Sequence, residues 1–82
     1  MRSLRLKQGL NMKYTVILEE GASSYGAFVP DLPGCIAVGE TKQQALHSIR
    51  EAIEFHIEGL REKKAEIPKP HCNFAQVEVR WP

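Results

Sequence analysis

One amphipathic run, residues 41–64, constrains this chain more than anything else in it. Thr41 and Gln44 have the spacing of a capping box, in which each side chain satisfies an orphan backbone N–H. Arg61, Lys63 and Lys64 place positive charge where the helix dipole favours it, and Pro68 and Pro70 bar continuation. At about 100° per residue, Ala45, Leu46, Ile49, Ala52, Ile53, Ile57 and Leu60 form one apolar stripe, with His56 inside it. Glu51, Glu54, Glu58 and Glu62 fall on the opposite side. A helix with one apolar stripe needs a second layer to cover it, and the segments before it supply a sheet.

Residues 14–19 read as a strand, with Tyr14, Val16 and Leu18 on one face and Thr15, Ile17 and Glu19 on the other. Gly21, Ala22, Ser23 and Ser24 are turn material, so residues 25–29 complete a hairpin. Pro30 stops the pairing, residues 31–34 form a compact turn, and residues 35–38 make a third strand closed by Gly39. Beyond the helix, residues 73–81 alternate: Ala75, Val77, Val79 and Trp81 one way, Gln76, Glu78 and Arg80 the other. That pattern predicts a fourth, half-buried strand returning to the sheet. The expected fold is α+β: a β-β-β-α-β two-layer sandwich with a three-stranded antiparallel meander.

The chain has 82 residues, room for one small domain with thin stability, which self-association would help. Formal charge is +1, short of the strong basic excess of a dedicated nucleic-acid binder. The positive balance comes from Arg2, Arg5 and Lys7; residues 12–82 carry eight Lys and Arg against ten Asp and Glu, a net −2. We expect residues 1–11 to be an appended basic arm, or Met12 to be an alternative start, with the domain over 12–82. No apolar run is long enough to span a membrane and no leader pattern is present, so the expected location is the cytoplasm.

The residues that could carry chemistry do not converge. His47 projects from the solvent side of the helix and His56 from the core side, and no nucleophile elbow is present. His71 and Cys72 are adjacent, but Cys35 has no neighbouring ligand, so neither a metal site nor a cofactor is expected. Both cysteines read as small apolar residues. The glutamate side of the helix contains like-charge pairs four residues apart, Glu54 with Glu58 and Glu58 with Glu62, which a basic partner would relieve. Phe55 stands off the core stripe beside Ser48, Ala52 and Gly59, a candidate contact aromatic. A homo-oligomer, a dimer first, is therefore expected.

The stretch Pro30-Asp31-Leu32-Pro33-Gly34-Cys35 is the most distinctive in the chain. With the strand around Tyr14 before it, Gly39-Glu40-Thr41 at the helix start, Ile49-Arg50-Glu51-Ala52-Ile53 within the helix and Ile67-Pro68-Lys69-Pro70 after it, residues 14–70 resemble the HicB-like antitoxin family. The resemblance implies the β-β-β-α-β order on a partial ribonuclease-H-like fold. It also implies a role: binding a small basic HicA-type toxin that cleaves messenger RNA, and covering its active surface. Many family members carry a C-terminal DNA-binding domain, whereas this sequence stops just after the last expected strand, so direct operator binding is not expected.

The expected partner-binding residues are Asp31, Leu32 and Pro33 in the turn, with Glu51, Glu54, Phe55 and Glu58 on the helix. No catalytic residue is assigned. Two other functions compete. One is a small metal-dependent nuclease or hydrolase on the ribonuclease-H-like fold, for which Glu19, Glu20 and Asp31 are too scattered. The other is a self-associating nucleic-acid-binding regulator that uses the basic arm.

Overall fold

A computed structural model describes residues 11–82. The basic arm expected over residues 1–11 lies outside the described residues except for Asn11. Four elements follow in order: strands β1 (Ile17–Glu20), β2 (Tyr25–Phe28) and β3 (Ile36–Gly39), then helix α1 (Lys42–Glu62). The strands form an antiparallel meander in the order β1-β2-β3. This is the α+β class that the sequence predicts, with one helix on one face of a three-stranded sheet.

Register explains how so small a sheet meets the helix. Leu18, Ala27 and Ala37 stand side by side in one row across the strands. Ala27 is buried, and Leu18 and Ala37 pack against the core. Two alanines in that row, with Ala45 opposite, let the helix approach closely. The approach is tightest at Gly39, where a Cβ would stand 2.5 Å from the Ala45 backbone nitrogen. The core proper is Ala27, Val29, Leu32, Cys35, Ala45 and Ile49, flanked by Tyr14, Val16, Tyr25, Ala52 and Ile53. Leu46, at the rim of the helix stripe, remains 40% exposed. The next row, Ile17, Phe28 and Ile36, points to the outer face, where Ile36 is exposed.

The start of the helix carries the Thr41–Gln44 pairing that the sequence suggests, whereas its end is closed by a backbone motif that the sequence reading does not contain. Thr41 caps the N-terminus, its hydroxyl accepting the Gln44 N–H at 3.0 Å. The Gln44 carboxamide oxygen accepts the N–H of Glu40 at 2.9 Å, one residue before the cap. At the other end Lys64 adopts φ +57°, the Lys64 N–H reaches the Arg61 carbonyl and the Ala65 N–H the Leu60 carbonyl. That pair of bonds is the Schellman closure, made here with lysine where glycine is usual.

The expected fourth strand does not form among the described residues. Among the described residues, 65–82 carry no strand, and residues 73–82 are exposed throughout. Val77 is 80% and Trp81 89% exposed. The expectation fails because alternation specifies the two faces of a strand and says nothing of which backbone it pairs with.

Candidate interaction site

The Pro-Asp-Leu-Pro-Gly-Cys stretch folds as two successive β-turns. The Leu32 N–H donates to the Val29 carbonyl at 3.1 Å, and the Cys35 N–H to the Leu32 carbonyl at 3.0 Å. Pro30 and Pro33 each occupy the second position of a turn, where a fixed φ near −65° is wanted. Gly34 takes φ +86°, the left-handed value that a type II turn needs at its third position. The Val29 N–H closes the loop on the Cys35 carbonyl at 3.2 Å. The chain thus reverses tightly enough to send Leu32 into the core, fully buried.

The double turn also turns Asp31 inward. Its side chain is fully shielded, and one oxygen, Oδ2, accepts the backbone N–H groups of both His71 and Cys72 at 3.0 Å. The other, Oδ1, lies 2.7 Å from His71 Nδ1. That contact is ionic when the imidazole is protonated, but it is not a directed hydrogen bond, and Oδ1 has no other partner. Burial pushes the Asp31 carboxyl upward, and the N–H of Cys72, its side chain, the N–H of His71 and the imidazole together outweigh it. The carboxyl is held below the ordinary carboxylate range. Two more bonds fasten the same segment: the Tyr14 hydroxyl donates to the Pro68 carbonyl and the Thr15 hydroxyl to the Cys72 carbonyl, both at 2.6 Å. Burial, and then the nearby Asp31 charge, push the Tyr14 phenol upward.

Asp31, His71 and Cys72 bring a carboxylate, an imidazole and a thiol within 4.8 Å of one another. The sequence sets His71 beside Cys72 and singles out Asp31 separately, but it does not join them, because no local spacing ties a turn to an exit segment 40 positions away. The three could share a cation only after rearrangement. Oδ1 and Nδ1 at 2.7 Å are closer than two tetrahedral zinc ligands, which sit about 3.3 Å apart at ordinary bond lengths. Oδ2 is already taken by two N–H donors. The trio as it stands clamps the chain after the helix onto the turn. The Cys72 thiol is pushed up by its contact with Asp31, then by burial, and burial alone raises that of Cys35. Glu19 and Glu20 are exposed on β1 and do not join this group.

The structure separates the expected contact residues into two places. Asp31 and Leu32, expected at the surface of the turn, are buried, and of that trio only Pro33 is exposed. The physical reason is the second turn, which folds the apolar and acidic side chains under the loop. Glu51, Glu54, Phe55 and Glu58 are all exposed on the helix face away from the sheet. Phe55 is 83% exposed and lies one helical turn from both Glu51 and Glu58, so an aromatic ring stands within the glutamate stripe. Glu51 faces His47 at 3.4 Å and Glu58 faces Arg61 at 3.5 Å, pairs exposed to solvent on both sides. Glu54 has no ionic partner among the described residues.

The molecule is thus a small α+β domain whose helix presents acidic groups around an exposed aromatic. It belongs to the HicB-like antitoxin family of bacterial toxin–antitoxin systems, whose model matches residues 14–78. It is 43% identical over 58 residues to an uncharacterized 14.9 kDa protein of Haemophilus phage HP1, covering 71% of this chain but 44% of that one. A UPF0150 protein of Thermoplasma acidophilum is 46% identical over 62 residues, with 74% of this chain and 90% of that protein covered. Antitoxin HicB 2 of Photorhabdus laumondii is 30% identical over 60 residues, 73% of this chain and 43% of its own length. The chain therefore spans less than half of the phage protein and of the named antitoxin, and nearly all of the archaeal relative. No helix among the described residues is long and apolar enough to cross a membrane.

Proposed function

We propose that this chain is an antitoxin that binds a small basic HicA-type toxin and blocks its cleavage of messenger RNA by covering the active surface. The glutamate stripe of α1 around Phe55 carries this reading. A set of exposed carboxylates four residues apart is mildly unfavourable alone and becomes favourable against a basic surface. Phe55 supplies the apolar anchor that such interfaces concentrate near their centre. Family membership supports the antitoxin role and a regulatory rather than catalytic one.

In this reading Glu51, Glu54, Phe55 and Glu58 contact the toxin, with Pro33 at the rim. Asp31 and Leu32 act from beneath by fixing the turn. The domain is read as a partial ribonuclease-H-like scaffold working in the cytoplasm as a homo-oligomer. A tagged pull-down from the native host at moderate salt, read by mass spectrometry, tests the function. Recovery of one small basic protein, whose RNA cleavage stops when this chain is added back, is the expected result. RNA cleavage by the chain itself, surviving repurification, would instead support the nuclease reading.

A further inference from the structure

The sequence offers a metal ion two adjacent donors, His71 and Cys72, and the fold brings a third to them from 40 positions away. The ligand atoms of Asp31, His71 and Cys72 all lie within 4.8 Å of one another. His71 Nε2 stands 4.0 Å from Cys72 Sγ, and Nδ1 of the same ring stands 2.7 Å from Asp31 Oδ1. Neighbouring side chains of an extended strand point to opposite sides, as do their N–H groups. Here Asp31 Oδ2 accepts both N–H groups, so the backbone at 71–72 is bent and both side chains serve one place.

The second observation is the state of Asp31 Oδ1. It is the one buried side-chain oxygen or nitrogen among the described residues that lacks a hydrogen bond, and it faces the His71 ring. Leaving a buried carboxylate oxygen unsatisfied is costly. Carboxylates that bind metals are held in just this manner, with hydrogen bonds orienting the group and an oxygen left for the ion. We infer that Asp31 Oδ1, the His71 imidazole and the Cys72 thiolate bind one Zn²⁺ ion, with water completing a tetrahedron.

The rearrangement this needs is confined to one exposed ring. Oδ1 and the ring nitrogen part from 2.7 Å to about 3.3 Å. The His71 side chain is 77% exposed, makes no directed hydrogen bond to Asp31, and releases one 3.5 Å contact with the Lys69 carbonyl. The two N–H bonds to Oδ2 stay in place, as does the Thr15 bond to the Cys72 carbonyl. A groove of about 490 Å³ between residues 13–16 and 70–74 has His71 and Cys72 in its wall and supplies the entry path. An imidazole and a thiolate select zinc over magnesium or calcium, which take oxygen shells. The thiol gives its proton to solvent as the ion binds. The site does not involve the helix face, so it is independent of the antitoxin reading.

Titration of the full chain with Co²⁺, after reduction and chelator treatment, tests the site, because a thiolate ligand gives cobalt a charge-transfer band. Wild type is expected to bind one Co²⁺ per chain with that band, to lose it to one equivalent of Zn²⁺, and to melt at higher temperature with zinc present. Cys72→Ser should abolish the band, and His71→Ala should weaken cobalt binding at least about tenfold. Both variants keep the backbone N–H groups that Asp31 accepts, so their far-UV circular dichroism should match wild type. His47→Ala, which removes the exposed His47–Glu51 pair on the helix, should bind cobalt as wild type does. Absence of the band in wild type, a band that survives Cys72→Ser, or undiminished affinity in His71→Ala would overturn the inference. So would displacement of cobalt by Mg²⁺ as readily as by Zn²⁺.

Discussion

The Asp31 carboxylate accepts the backbone N–H of Cys72 across 41 positions of sequence, and this bond couples the β2–β3 turn to the chain that follows the helix. The same oxygen takes the N–H of His71, so a single buried group holds two consecutive donors. Replacing Asp31 with alanine orphans both, and a fall in Tm on the order of 10 °C is expected. Asp31→Asn keeps an acceptor and should cost less.

The pH dependence of that clamp follows from the direction of its shift. The Asp31 carboxyl is held below its ordinary value, so its contribution is complete above the unfolded value of about 4 and fades as pH falls through the lower folded one. Urea midpoints should show the difference between wild type and Asp31→Asn shrinking as pH falls below about 4. A difference that stays undiminished well below pH ~4 would show that the carboxylate is not the stabilised form.

Gly34 tests the double turn itself. Its φ of +86° is a cost for any residue with a Cβ, while the space around it is open. Gly34→Ala should therefore destabilise by about 1–2 kcal/mol through backbone strain alone. Because the turn positions Leu32 in the core and Asp31 beneath the exit segment, exchange at the Cys72 amide should rise along with the loss of stability.

Much of this architecture was legible because it is local. Thr41 with Gln44, the Pro-x-x-Pro-Gly spacing of the turn, and the burial of Ala45 and Ile49 follow from spacings of three and four residues. The missing strand at 73–81 and the inward turn of Asp31 and Leu32 depend on contacts between distant segments. Periodicity gives Val77 and Val79 a common face, but the neighbour of that face is a matter of topology. Asp31 in a proline-rich turn reads as a surface acid until the backbone of residues 71–72 is set against it. Gly39 lies between the two cases: glycine before a helix is visible, but the 2.5 Å approach of the Ala45 nitrogen that forbids a side chain there is not.

Lys64 offers a change in the opposite direction. It closes the helix with φ +57°, where a non-glycine residue costs roughly 1–2 kcal/mol, and glycine would return part of that gain as unfolded-state entropy. Lys64→Gly should stabilise by about 0.5–1 kcal/mol, read as a higher urea midpoint with an unchanged slope. A loss of stability would mean that the lysine side chain contributes more at the helix terminus than its backbone strain costs.

The glutamate stripe separates folding from function most clearly. Glu54 and Glu58 are exposed, four residues apart and of like charge, and Glu54 lacks an ionic partner among the described residues. Reversing Glu54 to lysine removes a repulsion and creates an attractive pair with Glu58, so stability should hold or rise by a few tenths of a kcal/mol. Against a basic toxin the same change replaces attraction with repulsion. Association should slow by roughly tenfold or more at low salt, and the deficit should narrow as ionic strength rises, because screening removes steering before it removes close contact. Surface-plasmon measurements across a salt series would check this. Unchanged association by Glu54→Lys, with Phe55→Ala equally silent, would move the toxin-binding surface off this face of the helix.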